Sequence, residues 1–409
     1  MIRCVNIDWL ELYCLEDPCE PLSPDHLREA SEMIVEREYG TRVYQQMFTV
    51  HDEHGDPMLE VRRQPASSMS AGGVLPQNAC HIRLVNRYCY CSNPCEVLRN
   101  FCRKYNVTIH RISRVDICLD FERFDTGDDP QRFIHRYIKG KYTKINQANV
   151  HAHGTDTWEK RLWNSLSWGS KQSPISTKIY NKTQELEEVK DKPYIRQAWF
   201  ETQLVDNPID LTKKRRDGQM YKPVIWRLEF SIKSDVRNWV TIERDGNHKQ
   251  YQSLRNTLEV YDSREKLLVM IASLQAHYFH FKHYHYGRSK YECEDKLLFR
   301  FDTNSTYYQV EHPSSAQPKQ NAVLRLLRYL RNYKLTIVET DVRSSIETII
   351  KHLENQDTAR LLANPYSKVQ LVALQQAIAA RLGGSQQDPA KLLNQIAEEV
   401  HAEVDKPFL

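Results

Sequence analysis

Three short segments constrain this chain more than anything else in it: Arg114-Val-Asp116-Ile-Cys-Leu-Asp120, Ser176-Thr-Lys178-Ile-Tyr180-Asn-Lys182 and Trp226-Arg227-Leu-Glu229-Phe-Ser231-Ile-Lys233. Successive side chains of a strand point to opposite faces. Arg114, Asp116, Cys118 and Asp120 therefore share one face, and Val115, Ile117, Leu119 and Phe121 the other. The third segment repeats the scheme, with Arg227, Glu229, Ser231 and Lys233 opposite Trp226, Leu228, Phe230 and Ile232. If these strands neighbour one another with apolar faces inward, Asp116, Asp120 and Glu229 converge on the face that carries Lys178, Tyr180 and Lys182.

A carboxylate cluster beside a cation-flanked tyrosine suits phosphodiester chemistry, because hard oxygen donors hold Mg²⁺ or Mn²⁺ and such an ion polarises a phosphoryl oxygen. Asp116 and Glu229 are the leading candidate ligands and Asp120 the third. Tyr180 is the candidate nucleophile. A free phenol has a pKa of about 10, so its oxyanion needs stabilisation, for which Lys178, Lys182 and Arg227 are the candidates. The competing reading is three ordinary half-solvated strands with cross-strand Arg–Asp and Lys–Glu pairs, in which Asp120 pairs with Arg123 or Lys182.

In order, Arg114-Val-Asp116, then Trp168-Gly169-Ser170-Lys171 leading to Tyr180-Asn181-Lys182, then Arg227-Leu-Glu229-Phe230, the chain resembles the replication initiation factors of the Rep_trans type. That family comprises initiators of rolling-circle plasmids, relaxases of some conjugative elements and related phage initiators. Ile7-Asp8-Trp9-Leu10-Glu11-Leu12 looks like the family's opening strand, and the resemblance spans roughly residues 5 to 235. It implies a fold related to the His-hydrophobic-His (HUH) nickases, with acidic metal ligands in place of the histidine pair. It also implies a tyrosine that becomes joined to the 5′ end of a nicked strand. The partners it implies are origin DNA, duplex and single-stranded, with a homodimer and the host helicase and polymerase as further candidates.

Composition leaves room for this. With 409 residues, 27% charged and 40% apolar, the chain belongs with globular proteins of two or three domains rather than with disordered or fibrous ones. A net charge of +4 is only mildly basic, so DNA contact has to come from clusters. Lys213, Lys214, Arg215 and Arg216 form a basic loop tip, and Arg325, Arg328 and Arg331 recur every third residue on an expected helix. Either cluster can neutralise phosphates or be a solvated surface. Asp8 and Glu11 interrupt the opening strand, so a signal peptide is not expected there, and no apolar run approaches the roughly 20 residues of a membrane span. A cytoplasmic location with reduced thiols is the expectation. Cys89, Cys91, Cys95 and Cys102 have no usual zinc spacing, and Cys95, Leu98 and Cys102 fall on one apolar helix face, which favours core cysteines.

The expected fold class is α+β. One pattern of strand, helix, three strands and helix runs twice: strands near 4–14, 41–50, 57–63 and 80–91 with helices near 24–37 and 94–105, then strands near 108–123, 162–170, 175–182 and 224–233 with a helix near 129–139. These give an N-terminal unit over 1–107 and a catalytic unit over 108–240, each an antiparallel sheet with helices on one face. Residues 65–78 read as a flexible loop and 141–160 as a polar insertion. A mainly helical domain is expected over 260–409, with helices at 263–280, 318–334, 342–355, 367–382 and 388–403.

His151-Ala152-His153 matches the HUH signature literally, but the polar residues before it predict a loop. The aromatic run from His277 to Tyr291, which includes His283 and His285, reads either as a base-stacking surface or as a packed junction. The function expected from these features is site-specific DNA nicking and joining that starts rolling-circle replication or conjugative transfer. A non-enzymatic DNA-binding regulator and a metal-dependent hydrolase using water are the alternatives.

Overall fold

Alternation creates the strands of this protein and also decides how they assemble, because each has one face that must leave water. A computed structural model describes residues 2–66, 75–145, 149–156, 161–170, 173–189, 191–234, 236, 239–244, 248–284, 293–301 and 308–311. The chain divides into two units, Met1–Val236 with Arg255–Tyr308, and Arg237–Leu254 with Gln309–Leu409.

The first unit is built on a ten-stranded sheet. Its strands in chain order are β1 (Cys4–Leu15), β2 (Met33–Glu36), β3 (Tyr44–His51), β4 (Pro57–Pro65), β5 (Ala79–Leu84), β6 (Thr108–Phe121), β7 (Val150–Asp156), β8 (Arg161–Trp168), β9 (Ile175–Asn181) and β10 (Trp226–Lys233). They lie side by side in the order β2-β3-β4-β5-β1-β6-β10-β9-β8-β7, every pair antiparallel. From the centre outward each half has its first strand, then its fifth, fourth, third and second. The two halves meet through β1 and β6, so one topology occurs twice within a single sheet.

The apolar face carries Val115, Ile117, Leu119, Ile179, Leu228, Phe230 and Ile232, all buried. Helices α2 (Pro94–Lys104) and α6 (Arg264–Tyr278) bring Leu98, Phe101, Leu267, Met270 and Leu274 into the core. Each such side chain contributes about 1.5–3 kcal/mol on leaving water. Phe279 and Phe281, from the aromatic run, are buried with Phe124, Phe133 and Trp168, so this part of the run is core. Cys89, Cys95 and Cys102 are buried free thiols and Cys91 is exposed.

α1 (Pro24–Glu29), α2 and α3 (Pro130–Ile138) each begin with an oxygen-bearing cap residue, Ser23, Asn93 or Asp129, followed by proline, a local signal that fixes a helix start. α1 is shorter than the helix expected over 24–37. Ser31 takes φ 65°, which stops the helix, and Ile34 and Val35 pair with Val50 and Thr49 as β2. The expected loop at His151-Ala152-His153 is also a strand, the sheet-edge β7, because pairing with β8 satisfies its backbone whatever the polarity of its side chains. Helix α6 lies within the expected 263–280, whereas the four helices expected beyond it, with Arg325, Arg328 and Arg331, lie outside the described residues. No helix among the described residues is long and apolar enough to cross a membrane.

In the second unit, strands Trp239–Arg244 and His248–Ser253 form an antiparallel hairpin, extended on the Trp239 side by residues 309–311.

Candidate active site

The three informative segments lie next to one another as β6, β10 and β9. Their register sets Lys178, Glu229 and Cys118 in one row across β9, β10 and β6, and Tyr180, Arg227 and Asp120 in another. One row along stand Ser176, Ser231 and Asp116. One polar face therefore holds Asp116, Asp120, Glu229, Lys178 and Tyr180. Lys182 stands just past the end of β9, as the first residue of α4 (Lys182–Glu188), where Asn181 caps the helix by accepting the Gln184 N–H at 3.0 Å.

The Tyr180 hydroxyl donates to Glu229 Oε2 at 3.0 Å, and Lys182 Nζ lies 3.4 Å from the phenol oxygen. Lys178, exposed, sets its ammonium 4.2 Å from the Tyr180 ring centroid. Lys182 is fully buried and also donates to Glu185 Oε2 at 2.5 Å. Burial, the Asp116 charge and the Asp8 charge push the Glu229 carboxyl up to about 7, with Arg227 and Lys178 pulling the other way. Burial and the neighbouring Glu229 raise the Tyr180 phenol well above its ordinary value. Burial, with Arg227 second, lowers Lys182.

Asp116 is held by its own strand neighbour, with Arg114 Nε 2.9 Å from Oδ1 and the terminal nitrogen 2.5 Å from Oδ2. Burial nonetheless raises its carboxyl. Asp120 and Arg227, expected at the reaction centre, are both fully buried and pair with each other through two contacts of 2.6 and 2.7 Å. The Trp199 indole N–H from α5 (Pro193–Glu201) donates to the same carboxylate at 2.7 Å, so both Asp120 oxygens are engaged. Above them Cys4 packs with Leu186, Ile195, Ala198 and Trp199, and α4 and α5 close that end of the polar face.

Sequence reasoning missed Asp8 and Tyr90. Asp8 lies 2.8 Å from an Arg227 nitrogen and accepts from the Tyr90 hydroxyl at 2.7 Å. Burial works against its charge, yet Arg227, Lys182 and that hydroxyl hold it well below the usual carboxylate range. A bulge between Ile7 and Trp9 turns Asp8 into the cluster, and its sequence signal is two adjacent non-core residues, Asp8 and Trp9, interrupting the alternation. His151 and His153 are exposed on the edge strand, opposite Ser167 and Ser165. Lys213, Lys214, Arg215 and Arg216 form one arm and the tip of a small hairpin, with Lys213–Lys214 paired to Met220–Tyr221 and Arg215 stacked 4.8 Å from the Tyr221 ring. Among the described residues no group of three or more His, Cys, Asp or Glu side chains is arranged to hold a metal ion, so the expected trio of Asp116, Glu229 and Asp120 is not assembled. Asp120 is withdrawn from it by Arg227 and Trp199.

No protein-family model matches the chain, and no curated protein does. Among solved structures it is similar to a rolling circle replication initiator protein from Geobacillus stearothermophilus, at 13% identity and a TM-score of 0.42, over 72% of this chain and 93% of that one.

Proposed function

We propose that this protein nicks and rejoins one DNA strand at an origin of rolling-circle replication or conjugative transfer, through a 5′-phosphotyrosine intermediate. The observation that carries the reading is the 3.0 Å contact between the Tyr180 hydroxyl and Glu229, a phenol whose proton already faces a carboxylate that titrates near neutrality. The Tyr-Asn-Lys and Arg-x-Glu segments that supply this contact are also among those that resemble the replication initiation factors.

In the nicking step the phenol oxygen attacks the scissile phosphorus. An O–P bond forms to Tyr180 as the P–O3′ bond breaks, the phenolic proton passes to Glu229, and Glu229 returns it to the departing 3′ oxygen. The products are a 5′-phosphotyrosine and a free 3′-OH that a polymerase can extend, and rejoining is the same sequence reversed. Lys178 and Lys182 offset the negative charge that develops on the phenol and the phosphorane. The Arg227–Asp120 pair, tied to Tyr90 and Trp199, fixes the strands beneath.

Asp116 and Glu229, in the field of Asp8, are the hard oxygen donors that Mg²⁺ or Mn²⁺ takes through one or two carboxylates, leaving its other positions to water and phosphate. They would suit such an ion, because a cation held by these carboxylates would offset the burial and the Asp116 charge that raise the Glu229 carboxyl. A bound ion would supply positive charge to offset that of the reacting phosphate.

Two observations favour the regulator reading. Tyr180 is only 8% exposed, and Asp116 is already paired with Arg114. A supercoiled plasmid carrying the element's own origin separates the two. We expect a nicked circle with protein attached to its 5′ end, and complete loss of both in Tyr180→Phe with origin binding intact. Binding without nicking by the wild type supports the regulator, and nicking without attachment the hydrolase.

A further inference from the structure

The polar face continues past Asp116 onto the first half of the sheet, where cations and aromatic rings interleave. Trp9 lies beneath two guanidinium groups, Arg83 at 4.3 Å and Arg114 at 4.6 Å from its ring. Arg111 covers the Tyr13 ring at 5.0 Å, and Tyr13 also meets the rings of His81 at 5.6 Å and His110 at 5.4 Å. His110 is exposed, and Arg62, Arg83 and Arg114 keep 23%, 21% and 39% of their side chains in solvent. Registers place Arg114, Glu11, Arg83 and Glu60 in one row across β6, β1, β5 and β4, with Arg111, Tyr13, His81 and Arg62 in the row beside it.

The charges on this face do not cancel. Arg37, Arg62 and Arg83 meet Glu60, Arg62 and His81 meet Glu11, and Arg114 meets Asp116. Arg111 has no carboxylate partner among the described residues, and its Nε is buried without a hydrogen-bond acceptor. Five guanidinium groups thus stand against three carboxylates. A cleft of about 710 Å³ elsewhere in the unit is the obvious rival for a ligand. It is lined by Glu32, Asp52, Glu53 and Glu201 against Arg87, a balance that repels a polyanion.

We propose that the face carrying Trp9, Tyr13, Arg83, His110, Arg111 and Arg114 is a track for single-stranded DNA that leads to Tyr180. The inference rests on the nicking reading and names where the strand flanking the scissile phosphate lies. A single strand presents phosphates to the guanidinium groups and unpaired bases, which a duplex keeps stacked inside, to the exposed His110 ring and the half-buried Trp9, while Tyr13, only 3% exposed, is the buried floor on which Arg111 rests. Stacking on Trp9 and Tyr13 holds the guanidinium planes in place before DNA arrives.

The test is binding of a fluorescent single-stranded oligonucleotide by anisotropy between about 50 and 300 mM salt. All proteins carry Tyr180→Phe, so the readout is independent of cleavage. Arg83→Gln with Arg111→Gln should weaken binding about tenfold at the lowest salt and flatten the slope of log K against log[salt] by about 1.4, since each phosphate contact on a single strand contributes about 0.7. Arg83→Lys with Arg111→Lys should keep the slope, which separates lost charge from lost packing. An unchanged slope in the glutamine variant overturns the track, as does tighter binding of the same sequence as RNA or as duplex. If the glutamine variant loses binding while the wild type fails to nick its origin plasmid, only the nicking reading falls. If nicking stands and the slope does not move, only the track falls.

Discussion

The two halves of the sheet share a strand order but not a charge arrangement. On the first half the polar-face carboxylates meet cations: Glu60 touches Arg37, Arg62 and Arg83, and Glu11 touches Arg62 and His81. On the second half the Glu229 carboxyl accepts from a phenol instead and is held up to about 7. Topology sets where side chains stand, and the identity of their partners sets whether a carboxylate is a static ion-pair member or a group that exchanges protons near neutral pH. One backbone plan therefore carries two different electrostatic arrangements.

The largest effect that sharpens this contrast is on activity. Glu229→Gln removes the proton acceptor and should lower the nicking rate by about 10²–10⁴-fold, a loss typical of a missing general base. In the wild type, nicking should rise with pH as Glu229 deprotonates, through about 7 without a divalent cation and at lower pH with one on that carboxylate, and the variant should lose that rise. A pH–rate profile on an origin oligonucleotide reads both, and an unchanged profile removes Glu229 from the proton path. Next comes stability. Asp120→Asn leaves the buried Arg227 guanidinium without its two-point partner and should cost about 3–5 kcal/mol, measured by urea unfolding.

The smallest effects test the halves directly and have opposite signs. Glu60→Gln removes the carboxylate partner of Arg37 and Arg83 and one of the two partners of Arg62, and should destabilise by about 1–3 kcal/mol. Glu229→Gln should stabilise. Its carboxyl is raised from 4.5 to about 7, so the folded state binds the proton more tightly than the unfolded chain does. The native state is therefore penalised progressively as pH climbs from 4.5 to about 7, and fully above that. The variant's melting temperature should match the wild type below pH 4.5 and exceed it above 7. Destabilisation by both variants would mean that the two faces do not differ as described.

Much of this arrangement is legible in the sequence, because strand alternation is a local property with a fixed period of two. The segments around Asp116, Tyr180 and Glu229 announce which side chains share a face, and the cap-and-proline pairs at Ser23, Asn93 and Asp129 announce helix starts. Two expectations failed where tertiary pairing overrides local preference. Ile34 and Val35 left a helix for the hydrogen bonds of β3, and the polar segment at His151 became an edge strand against β8.

By itself, then, the sequence determined which residues could act together, since periodicity needs no knowledge of distant neighbours. Only the tertiary structure decided who pairs with whom. Asp120 meets Arg227 across 107 residues and Trp199 across 79, while Asp8 enters the cluster through a bulge that breaks the period. Charge pairing depends on register and on contacts between segments far apart in the chain. For that reason the same kinds of carboxylate became ion-paired members of a cation-rich face in one half and, at Glu229, the acceptor of a tyrosine hydroxyl in the other.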